Sequence, residues 1–155
     1  MIAAVASDLG IGKDGKLLFH IKEDMAWFRS HTLHNVVVMG RKTLESFPGG
    51  RPLPERTHIV LSHKKHENTE NVIWVTSVEE ALAKMEKLPG EVYVTGGEQV
   101  YWEFLPLASK LYLTEVAQKC DADAYFPDFL SDGEWEKMEE NKRDGFSFVT
   151  YERNR

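Results

Sequence analysis

The feature that most constrains this chain is an alternation: short runs rich in β-branched residues recur along it, with amphipathic stretches between them. The runs at 2–7, 35–39, 57–61, 72–75, 91–95, 110–116 and 146–151 read as strands. The stretches at 22–32, 41–47, 77–88 and 97–104 read as helices. The clearest helix is the one at 77–88. Ser77 is placed to cap it, Glu80 completes a capping box, Val78, Ala81, Leu82 and Met85 form an apolar stripe, and Pro89-Gly90 ends it. Strands that alternate with helices pair in parallel through right-handed crossovers, so the pattern predicts one open α/β sheet. The last third carries no convincing helix and is expected to return as antiparallel strands. At 155 residues, with 42% hydrophobic and 28% charged, the chain suits a single soluble domain, and no repeat or low-complexity linker interrupts it.

Composition excludes several classes of function. Cys120 is the only cysteine, so no internal disulfide forms, and nothing near it supplies the paired ligands of a zinc site; no metal is expected. A reducing compartment fits. The N-terminus lacks a basic region and reaches Asp8 too early for a signal peptide, and no apolar run is long enough to span a bilayer. The expectation is a cytoplasmic protein with no membrane partner. A net charge of −6 argues against nucleic acid as a partner. The charge is unevenly spread, however. Residues 36–66 carry Arg41, Lys42, Arg51, Arg56, Lys64 and Lys65 against Glu45 and Glu55, a local +4 that leaves −10 for the remainder. Such a segment is either a pocket for a small polyanion or a solvated basic face.

Five stretches carry candidate chemistry. The loop at 8–21 combines Gly10, Gly12 and Gly15 with an apolar second half, and reads as a functional lid or as a self-packed Ω-loop. In the helix at 22–32, Asp24, Phe28 and Thr32 fall at i, i+4 and i+8 and share a face. Asp24 is then either a first-turn acid favoured by the helix dipole or a carboxylate at the bottom of an apolar cleft. In the second case it accepts two parallel hydrogen bonds from an amidine-like donor pair on a heterocycle and supports its protonation. Next, the run Val36-Val37-Val38-Met39 passes through Gly40 into a helix start carrying Arg41, Lys42 and Thr43, a natural phosphate seat. Residues 92–101 repeat the arrangement with Gly96-Gly97, which is not the full dinucleotide fingerprint. Two such turns in one small sheet suit the two phosphates of a dinucleotide. Finally, the strand end Ser62-His63-Lys64-Lys65-His66 is basic, which suits a ribose 2′-phosphate as well as it suits a solvated turn.

These residues, taken in order, resemble the dihydrofolate reductase family over essentially the whole chain. The resemblance rests on 10–15 (Gly-Ile-Gly-Lys-Asp-Gly), on Asp24 with Trp27-Phe28 and Thr32, and on 38–43 (Val-Met-Gly-Arg-Lys-Thr). It continues through 51–56 (Arg-Pro-Leu-Pro-Glu-Arg), Ile59-Val60-Leu61-Ser62, Gly96-Gly97 with Val100-Tyr101, Leu113-Thr114, and Asp123 with Phe126-Pro127. It implies one open, mostly parallel eight-stranded sheet with an antiparallel C-terminal strand and four helices. It also implies a single domain over 1–155, with the adenosine-binding portion at 35–90. The implied activity is NADPH-dependent reduction of 7,8-dihydrofolate to tetrahydrofolate, supplying one-carbon metabolism, in a monomer that antifolates inhibit.

The resemblance also assigns residues. Asp24 binds the pterin and promotes N5 protonation, with Leu17 and Phe19 of the lid beside the reacting atoms. Ile2, Ala3, Ala4, Met25 and Thr95 edge the substrate; Phe28, Phe47 and Leu53 line its benzoyl region; Thr114 buttresses Asp24. Arg56, with Arg51 nearby, pairs with the glutamate α-carboxylate, a bidentate geometry that suits Arg better than Lys. The cofactor falls to Ala4, Ile11, Gly12, Gly15, Lys16, Leu17, Gly40, Arg41, Lys42 and Thr43, to Leu61, Ser62, His63 and Lys64, and to Thr95, Gly96, Gly97, Glu98, Gln99, Val100 and Tyr101. The chain departs from the family pattern in the lid, where Leu18-Phe19 replaces Pro-Trp and Lys22 replaces a second proline. Two extra residues stand around Pro48-Gly49, and Ala122-Asp123-Ala124 replaces Gly-Asp-Thr. Two other functions fit parts of the pattern: an NADPH reductase of a pyrimidine intermediate in flavin synthesis, and a cofactor-binding module without catalysis. Asp24 and Arg56 together favour the folate substrate.

Overall fold

A strand buried on both faces needs an unbroken apolar run, and residues 36–39 supply one. In the computed structural model, which describes residues 1–131 and 133–154, this run lies in β4 (Val36–Gly40), with Val36, Val37, Val38 and Met39 all buried. It pairs in parallel with β5 (Thr57–Leu61) and β7 (Val92–Val94), and β5 pairs in parallel with β6 (Val72–Val75). A second four-stranded sheet is built from β1 (Ile2–Val5), β8 (Lys110–Val116), β11 (Phe146–Arg153) and β10 (Trp135–Lys142), in that order. There β1 and β8 are parallel, and β11 runs antiparallel to both of its neighbours. The edge strand β10 is exposed at every residue but Trp135, and its charged side chains blunt an otherwise open edge.

The helices are α1 (Lys22–Thr32), α2 (Arg41–Glu45), α3 (Val78–Met85) and α4 (Glu98–Phe104). All four match helical stretches of the sequence, α1 to the residue. The capping box of α3 is present: Ser77 Oγ accepts from the Glu80 amide at 3.0 Å. The reciprocal bond is displaced by one residue, because Glu80 Oε1 takes the amide of Thr76, not that of Ser77.

Two expectations change. The segment at 8–21 is not a continuous loop: it folds as a hairpin of β2 (Gly10–Lys13) and β3 (Lys16–Leu17), and β2 also pairs with β9 (Ala124–Tyr125). Its turn is Asp14-Gly15, both at positive φ (52° and 76°), the backbone that two-residue hairpins use because it matches strand twist. The strands therefore form three sheets among the described residues; the two four-stranded ones are not joined by a ladder. The seam lies between β7 and β1, where the Tyr101 hydroxyl donates to the Ile2 carbonyl at 2.8 Å and the Tyr93 and Tyr112 rings lie 5.9 Å apart.

Candidate active site

Asp24 sits in the first turn of α1, a helix whose N-cap residue, Ile21, offers no side-chain hydrogen bond. Its position is set from the sheet instead. Thr114, fully buried in the middle of β8, donates its hydroxyl to Asp24 Oδ1 at 2.5 Å. Because Thr114 is in register with Ala4 of β1, the carboxylate stands next to the first strand. Burial pushes the Asp24 carboxyl above the ordinary carboxylate value, and the Thr114 bond pulls it part of the way back. Tyr101 of α4 feels the same charge: burial first, and then Asp24, holds its phenol firmly protonated. Asp24 is thus both an acid of the first turn of α1 and a half-buried carboxylate bonded to β8.

The two glycine turns come together. The amide of Gly40, at the end of β4, donates to the carbonyl of Gly96 at 2.9 Å, so the starts of α2 and α4 lie side by side. Neither start has a side-chain cap. A Cβ at Gly96, whose φ is +109°, would lie 3.0 Å from Tyr101 Cε2, and one at Gly40 would lie 3.3 Å from Val100 Cγ2. One at Gly97 would face Thr43 Oγ1 at 3.8 Å. Glycines therefore keep a cradle open between the turns. At the end of β5, Ser62 Oγ accepts from the Lys64 amide and hydrogen-bonds His66, which stacks on Trp74 at 4.0 Å. This donor set, with His63 and Lys65 exposed beside it and no acid within 62–66, fits a dinucleotide bearing a 2′-phosphate.

Arg56 is 6% exposed, and its Nε has no hydrogen-bond partner among the described residues. Burial, and then the nearby Arg29, depress its pKa, and the neighbouring Glu55 raises it part of the way back. Leu53 is held by His58, a residue that the sequence reading passed over. His58 Nε2 accepts the Leu53 amide at 3.0 Å and Nδ1 lies 3.3 Å from the Asn71 carbonyl, which sets the tautomer with the proton on Nδ1. Burial lowers the His58 pKa and keeps it neutral. A histidine inside the apolar run of β5 was the available signal.

Other expected residues are placed less directly. Leu17 and Met25 are the most exposed large apolar residues described, at 68% and 62%. Phe19 is half-buried after the hairpin, and no hydrogen bond or ring contact described joins it to Asp24. Arg41 is paired with Glu45 at 2.6 Å within α2, and the Glu98 carboxylate accepts the Tyr125 amide of β9 at 2.7 Å. Both side chains, expected at the cofactor, have protein partners. The hairpin turn is tied by Asp123, which accepts the Asp14 amide at 3.0 Å. A cavity of about 200 Å³ at the seam, lined by Met1, Met85, Tyr93, Phe104, Lys110 and Tyr112 among others, contains none of the expected site residues.

Comparisons with known proteins agree with this geometry. The family model described as dihydrofolate reductase matches residues 1–153. The chain is similar to dihydrofolate reductase HdrB of Haloferax volcanii, 42% identical over 160 residues, covering 99% of this chain and 82% of that protein. It is also similar to the dihydrofolate reductase of Haemophilus influenzae, 43% identical over 136 residues, covering 88% and 82%. Among solved structures it superposes on dihydrofolate reductase from Enterococcus faecalis complexed with NADP(H) and RAB-propyl, with a TM-score of 0.88 at 36% identity, covering 99% of this chain and 95% of that one.

Proposed function

The chain belongs to the dihydrofolate reductase family, and from that premise we propose the roles of its individual residues. Its activity is the NADPH-dependent reduction of 7,8-dihydrofolate to 5,6,7,8-tetrahydrofolate. The observation that carries the site assignment is the Asp24 carboxylate, half-buried on α1 and hydrogen-bonded by Thr114.

NADPH, when bound, supplies the hydride. Asp24 accepts a parallel pair of N–H donors from the pterin, and its charge favours the substrate protonated at N5. Thr114 orients the carboxylate. Backbone groups of Ile2, Ala3, Ala4 and Thr95 edge the ring, with Met25 against it and Leu17 and Phe19 closing from the lid. The exposure of Leu17 and Met25 supports this, since a bound ring would cover apolar surface left open among the described residues. Phe28, Phe47 and Leu53 line the benzoyl group. Arg56, with Arg51 at the rim, binds the glutamate α-carboxylate and so satisfies its buried Nε. A flavin-pathway pyrimidine lacks that tail and would leave Arg56 unpartnered.

Gly40, Lys42, Thr43, Gly96, Gly97, Gln99, Val100 and Tyr101 form the phosphate cradle, with Arg41 and Glu98 shaping it through their ties to Glu45 and Tyr125. Leu61, Ser62, His63 and Lys64 take the 2′-phosphate end, and residues 35–90 form the adenosine portion of a single domain over 1–155. Ala4, Ile11, Gly12, Gly15, Lys16 and Leu17 meet the nicotinamide half. The two four-stranded sheets act as one eight-stranded platform. The same cleft takes antifolates, and the enzyme works as a cytoplasmic monomer. Among the described residues no helix is long and apolar enough to cross a membrane.

The test is the decay of nicotinamide absorbance when dihydrofolate is added. Steady oxidation of NADPH, slower with NADH, is expected. No oxidation would leave only a cofactor-binding module, and equal use of both cofactors would remove the 2′-phosphate assignment.

A further inference from the structure

Helix α1 begins without a side-chain cap, although Glu23 and Asp24 place acids in its first turn. Ile21 cannot cap it, and its first residue is Lys22, where a proline would have set φ in advance. Its first backbone bond, from the Met25 amide to the Ile21 carbonyl at 3.0 Å, encloses Asp24. The turn that carries the carboxylate therefore takes its position from contacts with the sheet.

One such contact is Thr114 to Asp24. A second, from a different element, reaches the preceding residue: Arg143 Nε donates to Glu23 Oε2 at 2.8 Å. Arg143 lies in the turn between β10 and β11, and this turn is braced. The Arg143 amide donates to the Phe146 carbonyl at 2.8 Å, and the Ala117 amide donates to the Gly145 carbonyl at 3.0 Å. The Arg143 guanidinium also lies 5.4 Å from the centre of the Phe148 ring. Phe148 stacks on Trp27 of α1 at 4.5 Å and 26°, and it is in register with Thr114. The contacts close a ring: Arg143 to Glu23, along α1 to Trp27, across to Phe148 and back to Arg143, with Thr114 beside Phe148 holding Asp24.

We propose that Arg143 is a positioning residue for the reductase reaction, clasping the first turn of α1 through Glu23 so that Asp24 meets the pterin in register and without an uncompensated neighbouring charge. The pair is exposed enough to contribute little to folding, so its effect falls on the geometry and electrostatics of the turn. Asp24 adjoins Glu23 along the helix, accepts from Thr114 of β8 and interacts with Tyr101 of α4, and Arg143 reaches the same turn through Glu23. Removing Arg143 leaves the Glu23 charge beside Asp24 and favours the protonated carboxyl.

The proposal rests on the role of Asp24, and the experiment separates the two. Single-turnover hydride transfer across pH, dihydrofolate KM, and hydrogen exchange at the Met25 amide in the ligand-free protein are measured for the parent, Asp24→Asn, Arg143→Ala, Arg143→Lys and the charge-swapped Glu23→Arg/Arg143→Glu. Arg143→Ala is expected to transfer hydride about threefold to tenfold more slowly, the scale of a coupled neighbouring pair, with less change in KM. Its pH profile moves upward and the Met25 amide exchanges faster. Arg143→Lys keeps most of the rate. The swap restores the rate and the slow exchange while moving the profile downward, because a cation then adjoins Asp24. Unchanged rate, profile and exchange in Arg143→Ala, alongside a large loss in Asp24→Asn, overturns the clasp alone. A swap no better than Arg143→Ala also overturns it. Asp24→Asn at the parental rate overturns the underlying role of Asp24.

Discussion

The seat of Asp24 and the β2–β3–β9 hairpin are held by bonds of different kinds. Asp24 is fixed by Thr114 of β8, 90 residues away, and its neighbour Glu23 meets Arg143, 120 residues away in the turn between β10 and β11. The hairpin is held by short backbone ladders, two residues at positive φ, and surface contacts such as Lys13 to Asp121 at 3.6 Å. A hydrogen bond to a half-buried charge is worth about 1.5–3 kcal/mol, whereas an exposed ion pair contributes about 1 kcal/mol or less. The carboxylate is thus seated by the stronger kind of bond, and the hairpin that the sequence suggests as a lid is held by the weaker kind.

Breaking the stronger seat has the largest expected effect. Asp24→Asn keeps shape but removes the charge, and hydride transfer near neutral pH should fall by about 10²-fold or more, with partial recovery in acid where solvent protonates the substrate. Stability moves the other way. The folded-state pKa of Asp24 lies above its unfolded value, so the native state loses stability as pH rises from the ordinary carboxylate range through the raised one. Asp24→Asn should therefore resist urea better than the parent at neutral pH, and the gain should vanish below the ordinary carboxylate value.

Arg56→Ala is expected to weaken dihydrofolate binding by about 1.5–3 kcal/mol while sparing a pterin without the glutamate tail, as titrations of both would show. Equal losses for the two ligands would remove Arg56 from the carboxylate. Thr114→Val deletes the donor to Asp24, so the carboxyl rises further, the pH profile moves upward, and transfer slows roughly tenfold, the scale of one charge-assisted bond. On the hairpin side, Gly15→Ala meets no neighbouring atom within 4 Å but must hold a φ of +76°. It should cost about 1 kcal/mol in thermal unfolding and alter product release more than hydride transfer. Phe19→Trp is the smallest change: folding holds, and the step after binding shifts. If pre-steady-state traces matched the parent in both chemistry and release, position 19 would have no special part in the lid.

How legible each region was follows the same division. Helix α1 and strands β5, β6 and β8 were readable to the residue, because apolar patterning is a local signal that a core only reinforces. The hairpin was local too: Asp14-Gly15 between short extended runs is a strong turn signal, and reading 8–21 as a loop passed over it. Strand β10 was another matter. Seven of its eight residues are exposed and charged or polar for the most part, so no alternation marks it, and only pairing with β11 makes it a strand. The partners of His58, Glu98 and Arg143 were hidden for a related reason. Each bonds a residue outside its own element or turn, and one residue type in one stretch of chain does not reveal which partner it will meet.

The amino-acid sequence by itself determined the α/β class, the four helices, the glycine turns and the presence of Asp24, Arg56 and the basic strand end. All depend on residues within one or two turns of each other, or on motif order along the chain. Tertiary structure alone decided that the Gly40 and Gly96 turns touch, that Arg56 Nε is buried without a partner among the described residues, and that Asp24 takes its place from Thr114. Those facts depend on which distant strands become neighbours. Burial and hydrogen-bond partnership are properties of the packed sheet, and the field around a carboxylate does not exist until packing has removed its water.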